Sequence, residues 1–422
     1  MDTATHNGGR SPLGTPLSRE GVPAAGGVVR QAWKCRGRGF IFGRGVNWGT
    51  KWFCVVILLL GAGGYIGQAF CRELRRRGEP FVPLSRGAFD YTRFELLFDY
   101  VRKLRPTFLI NAAGYSGRPN VDACEEQRAV TFQANTLLPQ LIARVCLATR
   151  TPWGHVSSGC IYSGAKMLDN GSARVVTTLN APEVRRYFDA HPERFFGFTE
   201  FEQPNFTFRR GQGNFCAGTK ALAEEALPHF PRCYLWRARI PFGERDEPAN
   251  LLSKLLRYPK VYDHVTSLSH VDDFARACLD LAGRDAPFGT YNVTNPGAVT
   301  TRQVIEMMRG VLKPGWHPKF WTNDREFYLE GGHVLRSSAI LDVSKLRSTG
   351  LKMRPVREAL ADALRTWRPG RAAFEDEESP LSRLGTEEEA VWSPRAAWPL
   401  EPAGVAQAFG PLEPLFSDRE KV

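Results

Sequence analysis

Three glycines between an apolar run and a helix-like stretch constrain the fold of this chain more than any other feature. The run Val55–Leu60 ends in the loop Gly61-Ala62-Gly63-Gly64-Tyr65-Ile66-Gly67, and Gln68–Arg77 then reads as a helix closed by Gly78. Glycines at this spacing allow a tight turn, a close approach of the backbone to a pyrophosphate, and close packing of the helix on the strand. The helix N-terminus then faces the anion. We therefore expect a dinucleotide site here, and a glycine-rich turn without a ligand is the alternative. The residues predicted to form the site are Gly61, Gly64, Tyr65, Ile66 and Gly67.

Strands and helices alternate after this loop. This order predicts an α/β fold, a Rossmann-like doubly wound parallel sheet with helices on both faces. The predicted strands are Phe81–Leu84, Thr107–Ile110, Trp153–Ser157 and Cys233–Ile240, and the predicted helices are Phe94–Leu104, Val130–Thr149 and Lys220–Leu227.

The chain divides into four predicted regions. Residues 53–240 form the NAD(P)-binding domain, with a surface insertion at 164–215 that includes a helix at Pro182–Ala190. Residues 241–368 hold shorter elements that form a smaller substrate-binding cap. Residues 1–52 are a basic leader and residues 369–422 an acidic, proline-rich tail, and both compositions predict disorder.

The composition indicates where the protein is located in the cell and which classes of partner it lacks. The net charge is +12, but eight basic and only two acidic residues lie in residues 1–52, so the folded part gives little reason to expect a nucleic-acid partner. The nine cysteines include no Cys-x-x-Cys pair, which argues against a disulfide framework and a metal site and favours a reducing cytoplasm. The longest apolar run, Phe53–Leu60, is too short to span a membrane. We expect a cytoplasmic protein that binds neither a membrane nor a metal.

The residues after the second strand bear on the choice of cofactor. An acid there would bond the ribose 2′-hydroxyl of NAD, whereas Ser85 and Arg86 suit the 2′-phosphate of NADP. NADP is therefore the predicted cofactor, with NAD as the alternative. Asp90 is a candidate for the adenine, or else a turn aspartate in contact with water.

Two segments resemble the catalytic segments of short-chain dehydrogenases, which use a Ser or Thr at a strand end and a Tyr-x-x-x-Lys on the next helix. Val156–Tyr162 resembles the first segment and places Ser158 at the catalytic hydroxyl. Asn214–Glu225 resembles the second and places Lys220 at the lysine, but Cys216 stands at the tyrosine position. A thiol with an ordinary pKa near about 8.5 can donate a proton, although its side chain is much shorter than that of tyrosine.

Residues 55–367 resemble the dTDP-4-dehydrorhamnose reductase branch of the extended short-chain dehydrogenases. The nearest likeness is to the bifunctional nucleotide-4-keto-6-deoxyglucose 3,5-epimerase/4-reductases of rhamnose biosynthesis. The segments that carry it are Asn111–Asp122 with Cys124-Glu125, Ser158–Ile161, Thr219–Ala221, Arg237–Pro241, Tyr291–Gly297, and Arg336-Ser337 with Leu341–Leu346.

This resemblance implies a dTDP- or UDP-linked keto-sugar as substrate, and further site residues. Cys160 and Lys254 match the acid and base pair of the epimerase reaction; a buried cysteine and a surface lysine are the alternative interpretation. Arg336, Arg118 and Asn120 are candidates for the substrate, with a structural turn as the alternative for the loop residues. The resemblance also places Ala112, Ala113, Gly114 and Lys220 at the cofactor.

Two functions remain open from the sequence. The first is an NAD(P)-dependent oxidoreductase that reduces, and also epimerises, a nucleotide-linked 4-keto-6-deoxysugar. The second is a regulatory subunit that binds a dinucleotide without catalysis, and Cys216 is the residue that favours it. A homodimer is a further expectation.

Overall fold

A parallel sheet of six strands forms the centre of the molecule. In this computed structural model, residues 56–169 and 171–370 are described. The strands are, in chain order, β1 (Ile57–Leu60), β2 (Phe81–Leu84), β3 (Phe108–Asn111), β4 (Trp153–Ser158), β5 (Ala165–Asp169), β6 (Ser172–Val176), β7 (Phe195–Phe196), β8 (Cys233–Ala238), β9 (Pro241–Phe242), β10 (Lys260–Val261), β11 (Val265–His270), β12 (Gly289–Asn292), β13 (Asn295–Thr300) and β14 (Lys319–Phe320). The central sheet has the order β12-β8-β4-β3-β1-β2.

Helices cover both faces of this sheet. The helices of the described residues are, in chain order, α1 (Tyr65–Arg77), α2 (Phe94–Leu104), α3 (Ala123–Glu126), α4 (Arg128–Phe132), α5 (Leu138–Thr149), α6 (Pro182–Ala190), α7 (Phe215–Ala226), α8 (Leu251–Arg257), α9 (Val271–Gly283), α10 (Thr301–Val311), α11 (Asp324–Glu330), α12 (Ser344–Ser348) and α13 (Val356–Arg365). A short π-helix at Gln133–Leu137, called the π-turn below, joins α4 to α5. Short 3₁₀ turns occupy Gly159–Ile161, Pro192–Arg194 and Leu227–His229.

The residues of strand β1 are apolar on both faces because both faces of the strand are covered. Ile57 and Leu59 pack in one core cluster with residues of α1 and α9, while Leu58 and Leu60 pack in a second cluster with residues of α2 and α5. Alternate side chains of a strand point to opposite faces, so a strand covered on both faces reads as a continuous apolar run. The predicted doubly wound parallel sheet is confirmed.

The predicted elements agree closely with those observed up to β4. Strand β2 and helix α2 have the predicted bounds, and the helix predicted at 130–149 is present as α4, the π-turn and α5. Helix α1 begins at Tyr65, three residues before the predicted start, and ends at Gly78 in a left-handed conformation. Helix α7 begins at Phe215 rather than Lys220, so that Cys216 and Lys220 lie on one helix.

Residues 241–368 contribute to three sheets, of which the smallest is the parallel pair β10-β14. Strand β12 is an edge strand of the central sheet, paired in parallel with β8, although it lies in the range predicted as the cap. The smaller sheet β13-β11-β9 packs with α8, α10 and α13 around a separate apolar cluster. The predicted boundary at residue 240 between two domains stays a prediction.

The insertion at 164–215 has more structure than its sequence suggests. Helix α6 has the predicted bounds, but β6, β5 and β7 also form an antiparallel sheet that we did not predict. The first four residues of β6 are exposed and mix small and charged side chains, so no clear alternation marks this strand.

The predicted disordered leader, and all but Pro369 and Gly370 of the predicted tail, lie outside the described residues. Of the described residues, 56–169 and 171–368 form one compact unit. Within the described part of the chain, no helix combines the length and the apolar character that a membrane span requires.

Candidate functional site

The turn between β1 and α1 leaves a cradle for a diphosphate. Gly61 has a φ of 77°, and a methyl group added to it would lie 2.5 Å from the Ala113 nitrogen. A methyl group at Gly67 would overlap the carbonyl oxygen of Gly61. Both positions therefore require glycine, one for its conformation and both for space. The three glycines lie at a strand–helix junction, as predicted.

The first turn of α1 suits an anion. Gly64 is the N-cap residue, and the first turn carries no acidic side chain. The amides of Tyr65, Ile66 and Gly67 begin the helix and have no acceptor within it. The helix dipole adds partial positive charge at the same place. The Tyr65 side chain itself points elsewhere, since a methyl group at Gly243 would lie 3.2 Å from its hydroxyl oxygen.

The end of β2 lies beside this cradle. The Leu84 carbonyl accepts hydrogen bonds from the amides of Gly61 and Ala62 at 2.9 and 3.1 Å. Ser85 and Arg86 follow directly and are exposed, as a contact with a cofactor 2′-phosphate would require. Asp90 accepts hydrogen bonds from the backbone and hydroxyl of Thr92 through one oxygen, so it closes a local turn.

The segment after β3 links the glycine turn to the Lys220 side chain. The Ala113 amide donates to Asn111 Oδ1 at 3.0 Å, which fixes the chain just beyond the strand. A methyl group at Gly114 would lie 3.7 Å from Lys220 Nζ. No carboxylate among residues 56–169 and 171–370 forms an ion pair with this ammonium. Ala112, Ala113, Gly114 and Lys220 therefore come together at the carboxyl edge of the sheet.

Asn135, in the π-turn, holds the next residue in place. Its Oδ1 accepts from the Tyr115 amide at 2.9 Å and its Nδ2 donates to the Tyr115 carbonyl at 2.8 Å. The same Nδ2 lies 3.3 Å from the Thr219 hydroxyl. A π-turn often marks a functional position in a helix, and this one fastens the loop after β3 to α7.

Ser158 ends β4 and begins the next turn. Its side-chain oxygen accepts a hydrogen bond from the Cys160 amide at 3.2 Å, and the residue remains partly exposed. The preceding Ser157 points into the protein and donates to the Glu224 carboxylate. The strand end therefore carries one hydroxyl toward the core and one at the partly exposed edge.

A buried ion pair anchors α7 to the sheet beneath the site. Glu224 lies 2.6 Å from Arg237, and both side chains are 5% exposed. The Arg237 guanidinium also donates to the Tyr162 hydroxyl at 3.1 Å and lies over the Tyr162 ring. Tyr162 itself is fully buried, so it packs in the interior.

Cys216 occupies the tyrosine position, one turn of α7 before Lys220. Asn214 caps this helix by accepting from the Ala217 amide at 2.9 Å. The Cys216 side chain is buried, and its sulfur lies 3.9 Å from the Tyr115 carbonyl. A hydrogen bond with Cys124, and then burial, raise the pKa of Cys216 to about 12, although a hydrogen bond with Cys160 and the charge of Lys220 act in the opposite direction.

Cys160 lies in the 3₁₀ turn after β4, which packs against α7. A hydrogen bond with Cys216, followed by burial, raises the pKa of the Cys160 thiol well above its ordinary value. A protonated thiol is therefore the resting form of Cys160. Within the described ranges, no group of three or more His, Cys, Asp or Glu side chains is arranged to hold a metal ion.

Lys254 lies on α8, and Arg336 lies between α11 and α12. Burial, and then the positive charge of Arg336, lower the pKa of the Lys254 ammonium. Arg336 Nη2 pairs with Asp122 Oδ2 at 2.6 Å. Its buried Nη1 has no hydrogen-bond partner among the residues that the structure describes. This free donor is available to an anionic ligand.

The loop residues Arg118 and Asn120 differ in their surroundings: the Asn120 side chain forms a hydrogen bond within the loop, and Arg118 is exposed. Asn120 Oδ1 accepts from the Asp122 amide at 2.8 Å, so it stabilises the turn. Arg118 is exposed and precedes Pro119 through a cis peptide bond. A methyl group at Gly117 would overlap the Asn120 carbonyl oxygen, which fixes glycine at that position.

Sequence reasoning missed two residues of this site. Asp122 pairs with Arg336, and Cys124 lies on α3, which packs against α7. Both stand within or beside the Gly-Arg-Pro-Asn-Val-Asp string that carried the resemblance. The string was informative about the family, but nothing in its spacing indicated that its end would meet a residue more than two hundred positions away.

Comparison with known proteins gives a match to a family model over part of the chain. Residues 55–174 match the RmlD substrate-binding domain. The chain is 28% identical to a bifunctional dTDP-4-dehydrorhamnose 3,5-epimerase/dTDP-4-dehydrorhamnose reductase of Arabidopsis thaliana over 308 residues, 72% of this chain and 90% of that protein.

A second relative is considerably longer. A trifunctional UDP-glucose 4,6-dehydratase/UDP-4-keto-6-deoxy-D-glucose 3,5-epimerase/UDP-4-keto-L-rhamnose-reductase of Arabidopsis thaliana is 29% identical over 309 residues, 72% of this chain but 41% of that protein. This chain therefore spans less than half the length of this relative.

Solved structures share the fold of this chain. The L780 UDP-rhamnose synthase from Acanthamoeba polyphaga mimivirus superposes with a TM-score of 0.61 at 20% identity, covering 74% of this chain and 99% of that one. A dTDP-4-dehydrorhamnose reductase from Bacillus anthracis, solved in complex with NADP, gives 0.56 at 17% identity, covering 73% and 96%. At these identities the likeness establishes the fold.

Proposed function

We propose that this chain is an NADP-dependent oxidoreductase that reduces a nucleotide-linked 4-keto-6-deoxysugar and epimerises it. One observation carries the proposal most directly. The Lys220 ammonium lies beside Gly114 at the carboxyl edge of the sheet and has no carboxylate partner within the described chain. A dinucleotide whose diphosphate lies on the glycine turn places its ribose hydroxyls in this region.

The residues present fit the cofactor. The glycine turn offers space and amides to the diphosphate, and Ser85 and Arg86 are free to bond a 2′-phosphate. When bound, the nicotinamide supplies a hydride. Lys220 binds and orients the ribose, and Ala112, Ala113 and Gly114 leave the space that the cofactor needs along the sheet edge.

The reduction requires a proton and a polarised carbonyl. The Ser158 hydroxyl stands at the strand end and donates a hydrogen bond to the substrate carbonyl oxygen. Cys216 supplies the proton to that oxygen, through a water where the thiol is too short to reach. The positive charge of Lys220 stabilises the thiolate that remains.

Epimerisation beside a ketone requires a base on one face of the ring and an acid on the other. Lys254 is assigned as the base because burial and Arg336 lower the pKa of its ammonium. Cys160 is assigned as the acid because its thiol keeps its proton. The site thus supports opposite roles for these two residues.

The nucleotide part of the substrate is assigned to the arginines. The Arg336 guanidinium has a free, buried Nη1, and guanidinium groups bind phosphate through paired hydrogen bonds. Exposed Arg118 adds a second positive charge. The Arabidopsis relatives act on dTDP- and UDP-linked sugars, so either nucleotide fits the proposal.

A second candidate function rests on Cys216. Its thiol is 5% exposed, and its raised pKa makes it a weaker acid than an ordinary thiol. A protein with such a donor could keep the cofactor and the sugar as ligands without turnover, as a regulatory subunit. The cytoplasmic location and the homodimer remain predictions under either function.

An assay distinguishes the two functions: NADPH absorbance is followed after a dTDP- or UDP-4-keto-6-deoxyhexose is added to the protein. Oxidation that depends on the sugar supports the reductase. NADPH binding without oxidation supports the regulatory subunit. In that second case Cys216→Tyr is expected to raise turnover, and a folded variant without activity would contradict our placement of the site.

A further inference from the structure

Arg239 is a buried arginine at the carboxyl end of the central sheet. It is 4% exposed and directly follows Ala238, the last residue of β8. Ala238 is paired with Ser158, the last residue of the parallel strand β4. Because the carboxyl ends of parallel strands share one edge, Arg239 begins at the sheet edge that carries the candidate site.

Neutral groups hold the Arg239 side chain in place. Its Nε donates to the hydroxyl of Thr266 on β11 at 3.0 Å, and its Nη2 donates to the carbonyl oxygen of Ser337. The backbone amide of Arg239 donates to the Ser269 hydroxyl at 3.0 Å. These hydrogen bonds fix the position of the guanidinium, but none of them neutralises its charge.

No carboxylate in the described part of the chain forms an ion pair with Arg239. By contrast Arg237, which is equally buried, lies 2.6 Å from the Glu224 carboxylate. A buried charge without an opposite charge is unfavourable, so buried charges in proteins are normally paired. Burial lowers the pKa of the Arg239 guanidinium to about 10, and Cys160 counteracts part of this shift. Arg239 is therefore a fixed cation in the interior at neutral pH.

The segment that binds Arg239 packs on the turn that carries Cys160. The Ser337 hydroxyl donates to the Tyr162 carbonyl oxygen at the end of this turn. A methyl group at Gly159, at the start of the turn, would overlap the Leu341 side chain. Ser337 thus connects the Arg239 guanidinium to the turn after β4, which carries the acid assigned to the epimerisation.

We propose that the Arg239 guanidinium stabilises the negative charge that develops on the sugar carbonyl oxygen during both the reduction and the epimerisation. The inference rests on the proposed function and adds to it the cation that both reactions require. A cation that is fixed in the interior before the reaction needs little rearrangement when the charge appears. Its placement without a carboxylate leaves its field available to the substrate.

The reduction places this charge on the oxygen at C4. Hydride adds to the carbonyl carbon, and the electron pair of the C=O bond moves to the oxygen. The oxygen then takes the proton that Cys216 supplies, and the charge disappears. Ser158 donates a hydrogen bond to the same oxygen, so the cation and the hydroxyl act on one atom.

The epimerisation places a negative charge on the same oxygen. The Lys254 amine removes a proton from the carbon beside the carbonyl, and the electron pair of that C–H bond forms a C=C bond. The C=O electron pair then moves to the oxygen, which gives an enolate. Cys160 returns a proton to the other face of the carbon, and the carbonyl forms again. Nothing is oxidised in this reaction.

Two variants separate the charge of Arg239 from its hydrogen bonds. Arg239→Gln keeps hydrogen-bond donors and removes the charge, whereas Arg239→Lys keeps the charge and removes the planar guanidinium. Arg354→Gln is the matched control, because it removes an arginine that has two carboxylate partners, Asp273 and Asp362.

Both reactions are measured with a dTDP- or UDP-4-keto-6-deoxyhexose. Oxidation of NADPH reports the reduction, and exchange of sugar protons with deuterated solvent in the presence of NADP reports the epimerisation. In Arg239→Gln we expect kcat for each reaction to fall about a hundredfold or more, with KM for the sugar and the affinity for NADPH unchanged. Arg239→Lys should retain more of both rates, and the control should keep the native rates.

The melting temperature distinguishes this role from a structural one. In Arg239→Gln it should equal or exceed the native value, because a buried charge without a carboxylate partner has been removed. In Arg354→Gln it should fall, because the carboxylate of Asp273, which is 4% exposed, loses its partner. An arginine that only holds the structure would give a lower melting temperature in Arg239→Gln and native rates per folded molecule.

A folded Arg239→Gln protein with native kcat in both assays would overturn the proposal. A raised KM with native kcat would also contradict it, since Arg239 would then bind the diphosphate. If the glutamine variant does not fold, Arg239→Met, which is also neutral, decides in the same way. A native protein that binds both ligands and catalyses neither reaction would contradict the proposed function and this inference together, whereas an active native protein with an active glutamine variant would contradict the inference alone.

Discussion

Arg336 reaches across the sequence to Asp122, with 2.6 Å between Nη2 and Oδ2. Asp122 stands immediately before α3, and Arg336 stands between α11 and α12. The pair joins the loop after β3 to the carboxyl-terminal part of the chain. It leaves the other guanidinium nitrogen, Nη1, buried and without a partner among the described residues, at the place proposed for the substrate diphosphate.

Loss of the Arg336 guanidinium should weaken substrate binding. In Arg336→Ala we expect KM for the nucleotide sugar to rise about tenfold or more, which corresponds to about 1.4 kcal/mol, while NADPH binding stays unchanged. Arg336→Lys should rescue the defect only in part, because an ammonium cannot bond the phosphates bidentately. Steady-state kinetics give both values, with exposed Arg365→Ala as the control. An unchanged KM in Arg336→Ala would place the diphosphate elsewhere.

Arg336 should also set the pH dependence of epimerisation. Its charge lowers the pKa of Lys254, and the neutral amine is the form that acts as a base. The exchange of sugar protons with deuterated solvent should therefore rise with pH through the lowered pKa of Lys254. In Arg336→Ala that pKa rises, so the onset of exchange should move to higher pH. Exchange is followed by NMR, and Lys254→Met should abolish it; exchange that persists in this variant would remove Lys254 from the mechanism.

A methyl group at Gly67 should abolish cofactor binding. It would overlap the Gly61 carbonyl oxygen and push the first turn of α1 away from the strand. Gly87→Ala is the matched control, because a methyl group there meets nothing within 4 Å. We expect Gly67→Ala to lose measurable NADPH binding by fluorescence titration and Gly87→Ala to bind normally. Native affinity in a folded Gly67→Ala protein would show that the cofactor does not use this turn.

Arg86 should decide between the two cofactors. Arg86→Ala removes the cation proposed for the 2′-phosphate, so the ratio of kcat/KM for NADPH over NADH should fall at least about tenfold. Ser85→Asp should lower it further, because an acid there repels the phosphate and bonds the 2′-hydroxyl of NAD. Exposed Arg93, at the start of α2, provides the control variant. A ratio that does not respond to either change would contradict the assignment of NADP from these residues.

The sequence predicted the structure best where an element's local residue pattern directly reflects its place in the fold. The apolar run of β1, the glycine turn and α1 were predicted because a buried parallel strand, a tight turn and a helix each carry their own local signal. Ser158, Cys216 and Lys220 followed from the resemblance, and the structure places them on β4 and α7 at one edge of the sheet.

Long-range contacts account for most of what was missed. Asp122 and Cys124 owe their place in the site to partners on distant elements, Arg336 and α7, which no periodicity reveals. Strands β5, β6 and β7 are short and carry mixed side chains, and they are stabilised by pairing with each other rather than by local propensity. The edge position of β12 likewise depends on pairing with β8.

The most direct test of the central claim follows the hydride itself. NADPH deuterated at the transferable position of the nicotinamide is mixed with the protein and a nucleotide-linked 4-keto-6-deoxyhexose, and the product sugar is analysed by NMR. The account predicts deuterium at C4 of the sugar, with transfer lost in Gly67→Ala and strongly reduced in Lys220→Met. A folded protein that binds both ligands and leaves C4 free of deuterium would contradict it.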